Sequence, residues 1–188
     1  IPGEGVQWLR DRTKFFKKAS DTEKIVKSLE SNNDIYLVPA FTGLGAPYWD
    51  ANSRGVLSGI TRDTSPKEIV RATIEAVAYQ THDLFDAMKH DGLRPKIVKV
   101  DGGMVMNNWF SQFLSDVVNV KVLRPKVQET TALGAAFMAG LQIGVYKSLK
   151  DISKNWHLDK KFSPKMNVSF KNKLLKGWSK AIKKTLIN

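Results

Sequence analysis

The sequence predicts an α/β domain with a mixed or parallel sheet. Three observations carry the prediction. Short β-branched runs alternate repeatedly with segments of helical periodicity. One helix opens on Ser65-Pro66-Lys67-Glu68, a capping box with proline at its first position. An alternating strand, 96–100, ends in Asp101-Gly102-Gly103 just before another helix, the kind of crevice in which α/β proteins hold ligands.

The elements follow in order. Residues 6–29 read as helical, with Trp8, Leu9, Phe15, Phe16, Ile25, Val26 and Leu29 as an imperfect apolar face broken near Ala19-Ser20-Asp21. Residues 35–39 form a strand pattern, and 55–60 a second short one. Between them runs Phe41-Thr42-Gly43-Leu44-Gly45-Ala46-Pro47-Tyr48-Trp49-Asp50, a loop dense in glycine and aromatics. The capped helix extends to about His90, with Val70, Ile74, Val77, Thr81, Leu84, Phe85 and Met88 spaced by three and four. After the strand at 96–100, Asn107-Asn108-Trp109-Phe110 enters a helix ending near Val118. A strand at 121–124 stops at Pro125, and Glu129-Thr130-Thr131 opens a helix rich in alanine and glycine. Small residues there fit close packing against a sheet or a ligand. The division expected is a domain at 1–146 and a basic helical extension at 147–188 packed on it, with Trp156, Phe162, Phe170, Trp178 and Ile182 as anchors.

Composition removes several function classes. The absence of cysteine excludes disulfides, thiolate catalysis and Cys-ligated metals. His82, His90 and His157 are scattered without metal-ligand spacing, so no metal-binding residue is assigned. No apolar run approaches the roughly 20 residues of a membrane span. The N-terminus lacks both a secretory pattern and an initiator Met, which suggests a piece of a longer, cytoplasmic protein. The net charge of +12 raises a nucleic-acid partner as an alternative, but residues 147–188 hold 12 Lys against Asp151 and Asp159. The excess therefore sits in the tail, as on a solvated helix face, and no nucleic acid is expected.

The residues of the 101–107 turn suit a phosphorylated ligand. Glycine permits positive φ and close backbone approach, helix-start amides favour phosphate, and the Asn107 amide can read a base, ribose or phosphate. An ordinary tight turn explains Gly102-Gly103 equally well, and the third glycine of a dinucleotide fingerprint is absent. The 39–50 loop reads as a packed connection or as a partner contact. Asp50 lacks the acidic or metal neighbour that a catalytic base would use. The 129–136 segment is a capped, packed helix or a hydroxyl-bearing helix start.

Several of these stretches together resemble the FGGY carbohydrate kinases. The carriers are Gly55-Val56-Leu57-Ser58-Gly59-Ile60 followed by Glu68-Ile69 and Ala72-Thr73-Ile74-Glu75, which look like the family's second signature. Residues 39–50, Gln7-Trp8-Leu9-Arg10-Asp11 and 129–136 are similar to its glycerol kinase branch, and a xylulokinase-like branch is the alternative. The resemblance spans about residues 6–165. It implies a ribonuclease H-like domain of the actin and hexokinase type, a mixed sheet flanked by helices. It also implies ATP or ADP binding by Gly103 and Asn107, with Gly102 shaping the turn and further contacts at Gln7 and Gly3. The lead-in Pro2-Gly3-Glu4-Gly5 departs from the family's small apolar pattern. Glycerol binding, the catalytic aspartate and the phosphate-gripping loops fall upstream of residue 1, so no catalytic residue is assigned here. Mg²⁺ would come with the nucleotide and the N-terminal domain. The full-length protein is expected to be a homo-oligomeric ATP-dependent phosphotransferase, and this chain alone inactive.

Overall fold

A computed structural model describes residues 3–186. Ile1 and Pro2, the latter opening the lead-in above, lie outside the described residues.

The helical region expected over 6–29, broken near 19–21, is two short helices, α1 (Glu4–Asp11) and α2 (Asp21–Lys27); α2 starts at that break with Ser20 as its N-cap residue, though the Ser20 side chain makes no capping hydrogen bond. The chain leaves helical geometry at residue 12, well before 19–21, and Lys14 takes φ +59°, which no proline or glycine announces. β1 (Tyr36–Val38) pairs antiparallel with β2 (Val56–Ser58). α3 (Pro66–His90) begins where its capping box predicts. Ser65 Oγ accepts from Lys67 N at 3.3 Å, and the Glu68 carboxylate accepts from Ser65 N at 3.0 Å.

β3 (Ile97–Lys99) lies parallel to β4 (Lys121–Pro125). Between them come a 3₁₀ turn at Gly103–Met106 and α4 (Asn108–Val118). Beyond β4 the chain forms α5 (Thr130–Gln142), α6 (Leu149–Ser153), β5 (Leu158–Phe162) and α7 (Val168–Thr185). β5 pairs antiparallel with β4, so the region read as a helical extension also contributes the third strand of a mixed sheet ordered β3-β4-β5.

α3 organises the molecule. It packs against α1, α2, α4 and β1, while α7 covers β1 and β2. The predicted apolar face of α3 holds only in part: every residue from Val70 to Tyr79 is buried, including Arg71 and Glu75, whereas Leu84 is exposed. A helix passing through the middle of a domain is enclosed on all sides, so its first half shows no polar face. Tyr79 sits at the centre, ring-stacked on Trp178 at 5.3 Å and edge-on to Phe113 at 5.7 Å. Leu174, Trp178 and Ile182 bring the apolar face of α7 into this core, leaving its lysines outside.

α5 departs from expectation. Gly140, against Tyr146, is its one buried residue, and Ala132, Ala135 and Ala136 face solvent rather than a sheet. Asp101 accepts a hydrogen bond from Thr130 Oγ1, so the start of α5 is tied to the Gly-Gly turn.

Candidate functional site

A cavity of about 420 Å³ opens between α1, α2, α3 and the 3₁₀ turn. It collects four of the five residues that the sequence singled out, Gly3, Gln7, Gly103 and Asn107, from segments some hundred residues apart in sequence. Gly102, the fifth, stays outside the lining. Its φ of +82° bends the chain out of β3, and its N–H donates to Gln128 O at 3.3 Å. Gly102 is therefore glycine because of its backbone conformation.

Gly3 and Gly103 are glycine for another reason. A Cβ placed on either would meet no protein atom within 4 Å, and neither residue has positive φ. Neither packing nor conformation demands glycine there. A side chain at either position would enter open space beside the cavity lining, so the backbone there is open to close approach.

The walls come from local sequence features. Gly3 starts α1, with Gln7 N donating to Gly3 O at 3.1 Å, so Gln7 lies one turn further along. Asn107 is the N-cap of α4: its Oδ1 accepts from Phe110 N at 3.0 Å. Its Nδ2 donates to Thr22 Oγ1 at 3.4 Å, linking the turn to α2. From behind, Arg124 props the turn by donating to Val105 O at 2.8 Å and Met106 O at 3.3 Å while its Nε pairs with Asp159 at 2.7 Å.

The lining also includes residues that the sequence did not point to. Val6, Ala19, Ile74, Met104 and Met106 give it an apolar floor, and Arg10, Ser20, Thr22 and Glu23 stand along it. The Glu23 carboxyl lies below its ordinary value: burial pushes it up, but hydrogen bonds and charge from Lys27, together with Asn108, outweigh that. No spacing rule links α2 to a turn some 80 residues later, so only the packing of α2 and α4 on α3 reveals this wall. An apolar floor with a few amides suits a flat heterocycle and its ribose better than a naked phosphate. The α4 start offers less to a phosphate than expected, because the Asn107 side chain already takes the Phe110 amide.

Nothing in this lining fits a resident divalent cation. Glu23 is its single carboxylate and is already paired, and among the described residues no three His, Cys, Asp or Glu converge. Asp50 acts as a turn cap, accepting from Asn52 N at 2.8 Å and Ser53 Oγ at 2.6 Å; the Ser53 hydroxyl is the main reason its carboxyl lies below the usual range. A second cavity of about 250 Å³, between the C-terminal end of β4, α5 and α6, holds none of the five predicted residues.

The fold is that of an α/β domain of the actin and hexokinase ATPase type, here of the sugar-kinase kind. The family model for the C-terminal domain of the FGGY carbohydrate kinases matches residues 2–143, and the chain belongs to that family. It is 50% identical over 184 residues to glycerol kinase 1 of Pseudomonas aeruginosa, covering 98% of this chain and 37% of that protein. It is also 50% identical to a glycerol kinase of Clostridium botulinum, covering 99% of this chain and 38% of that one. The crystal structure of Plasmodium falciparum glycerol kinase with ADP superposes on the whole chain with a TM-score of 0.86 at 36% identity, using 37% of its own length. A gluconate kinase from Lactobacillus acidophilus shares the fold, with a TM-score of 0.76 at 24% identity over 96% of this chain and 37% of its own. The chain thus spans less than two-fifths of the relatives it matches.

Proposed function

We propose that this chain is the adenine-nucleotide-binding part of an ATP-dependent glycerol kinase, which converts glycerol and ATP to glycerol 3-phosphate and ADP. The observation that carries the reading is the convergence of Gly3, Gln7, Gly103 and Asn107 on one apolar-floored cavity. The same fold is found with ADP in the Plasmodium falciparum enzyme, and identity to bacterial glycerol kinases reaches 50%. Identity to a xylulose kinase of the same fold is 24%, which favours glycerol as the acceptor over a pentulose.

In this reading the adenosine end lies on Val6, Ile74 and Met104, with its backbone-facing edge against Gly103 and an amide contact from Asn107. Gln7 and Gly3 line the opposite wall. Glycerol, the base oriented on its attacking hydroxyl and the Mg²⁺-phosphate contacts belong to the rest of the protein, since phosphoryl transfer is mainly positioning and charge stabilisation. Closure of the two parts would exclude water from the reacting phosphate. Residues 1–146 form the nucleotide-binding part and 147–188 pack on it. A cytoplasmic, homo-oligomeric full-length enzyme belongs to the same proposal.

The test compares two proteins. The full-length protein carrying this sequence should consume ATP in a glycerol-dependent manner. The 188-residue chain alone should show no turnover and only weak ADP binding by calorimetry. Glycerol-dependent turnover by the isolated chain would overturn the division of labour.

A further inference from the structure

The family signature in α3 ends at Glu75, which lies outside the cavity and is fully buried. Its carboxylate accepts from Arg71 Nε at 2.7 Å and from Tyr79 Oη at 2.8 Å. Burial still pushes the Glu75 carboxyl above its ordinary value against the pull of Arg71. Arg71, with a side chain 6% exposed, spends its other donors on the end of α2: on Leu29 O, on Val26 O at 3.5 Å and on Glu30 O at 3.4 Å. The Val26 carbonyl belongs to the last turn of α2, and those of Leu29 and Glu30 follow it, so the guanidinium engages the C-terminal end of α2. The guanidinium also lies over the ring of Trp109, 5.0 Å from its centroid. Trp109 is in the first turn of α4, two residues after Asn107.

One side chain therefore braces two walls of the cavity. At one end of α2 it fixes the carbonyls; the other end carries Ala19, Ser20, Thr22 and Glu23 along the lining. At α4 it fixes the turn whose cap is Asn107. A buried ion pair is a poor way to gain stability, because well-packed apolar residues of similar volume do as well or better. It does fix geometry: a planar fork with five donors meets three carbonyls and a carboxylate in a single arrangement.

We propose that Arg71, held by Glu75, is the positioning residue of the nucleotide site: it sets the spacing between α2 and the Asn107 turn and so the affinity for ATP, without touching the nucleotide. This rests on the nucleotide-binding reading above.

The test uses the full-length protein. Arg71→Lys keeps the charge and loses the fork, Glu75→Gln removes the counter-charge at constant shape, and Trp109→Leu removes the brace on α4. Each should raise KM for ATP about tenfold, since misplacements of about 1 Å in positioned groups carry effects up to about 10²-fold. KM for glycerol and kcat should stay unchanged, as expected when uniform nucleotide binding is weakened. Leu174→Ala, a core truncation within α7 outside the cavity lining, serves as the control that lowers Tm and leaves KM for ATP unchanged. Should Arg71→Lys fail to fold, Glu75→Gln and Trp109→Leu retain the guanidinium and carry the test with the same expected sign. Folded variants with lowered Tm but wild-type KM for ATP would overturn the positioning role while the wild-type enzyme remains active. A wild-type protein without glycerol-dependent ATP turnover would instead overturn the nucleotide reading itself.

Discussion

The amide of Asn107 and the hydroxyl of Thr22 meet at 3.4 Å across the cavity's edge, joining the 3₁₀ turn to α2. Asn107 uses its other polar atom to cap α4. The residue that best suits nucleotide contact is thus also part of the scaffold, so its substitutions must separate the two roles. The neighbouring glycines separate them more simply.

Gly103→Ala and Gly102→Ala should behave oppositely. A methyl at Gly103 meets no protein atom, so stability should hold or rise slightly, while affinity for ATP should fall because in the proposed reading the nucleotide lies against this backbone. A methyl at Gly102 meets φ +82°, which costs roughly 1–2 kcal/mol for an L-residue. Chemical denaturation and KM for ATP measured on both variants check this; a Gly103→Ala protein with unaltered nucleotide affinity contradicts the close approach.

Ser65→Ala should destabilise α3 by about 1 kcal/mol at neutral pH through loss of the cap. The Ser65 hydroxyl donates to Glu68 at 2.5 Å and is the main reason that the Glu68 carboxyl lies below its ordinary 4.5. A carboxyl lowered in the folded state adds stability that is fully present above pH 4.5 and is lost as the pH falls below it. The wild-type advantage over Ser65→Ala should therefore shrink below that pH. Urea unfolding at a series of pH values tests the trend, and a difference that grows with acidity goes against it.

Asp83 joins three parts of the chain. Its Oδ2 accepts from Tyr48 Oη at 2.8 Å and from Trp178 Nε1 at 2.7 Å, which ties the aromatic loop and α7 to α3. Burial, and then Asp83, hold the Tyr48 phenol well above its ordinary value. Asp83→Ala strands the buried Trp178 Nε1–H and the half-buried Tyr48 hydroxyl and should cost about 2 kcal/mol, whereas Asp83→Asn keeps an acceptor and should cost less. Equal losses from the two variants, measured by denaturant unfolding, would show that the acceptor is not what matters.

Much of this architecture is readable from local chemistry. Ser65-Pro66-Lys67-Glu68 marks the start of α3 because its reciprocal bonds are made within one turn, and Gly102-Gly103-Asn107 marks the turn because positive φ and helix capping are local needs. What the sequence hides is set by tertiary packing. The chain leaves α1 through Lys14 in a left-handed conformation with no glycine to announce it. β5 carries Asp159, Lys160 and Lys161 on an exposed edge, so it resembles a charged tail, the usual dress of an edge strand. Arg71 and Glu75 look like a surface pair at i, i+4, yet α3 buries them because neighbours enclose it on every side. Thr22 and Ile74 enter the cavity lining only through the packing of α2 and α3 against the turn.

The central claim, that an adenine nucleotide occupies this cavity against Asn107, is tested most directly by Asn107→Ser in the full-length protein. Serine keeps an N-cap acceptor for Phe110 N and removes the amide donor, so Tm should stay close to wild type. Loss of one hydrogen bond of about 1 kcal/mol should raise KM for ATP about fivefold and leave KM for glycerol unchanged. A folded Asn107→Ser enzyme with wild-type KM for ATP would contradict the account.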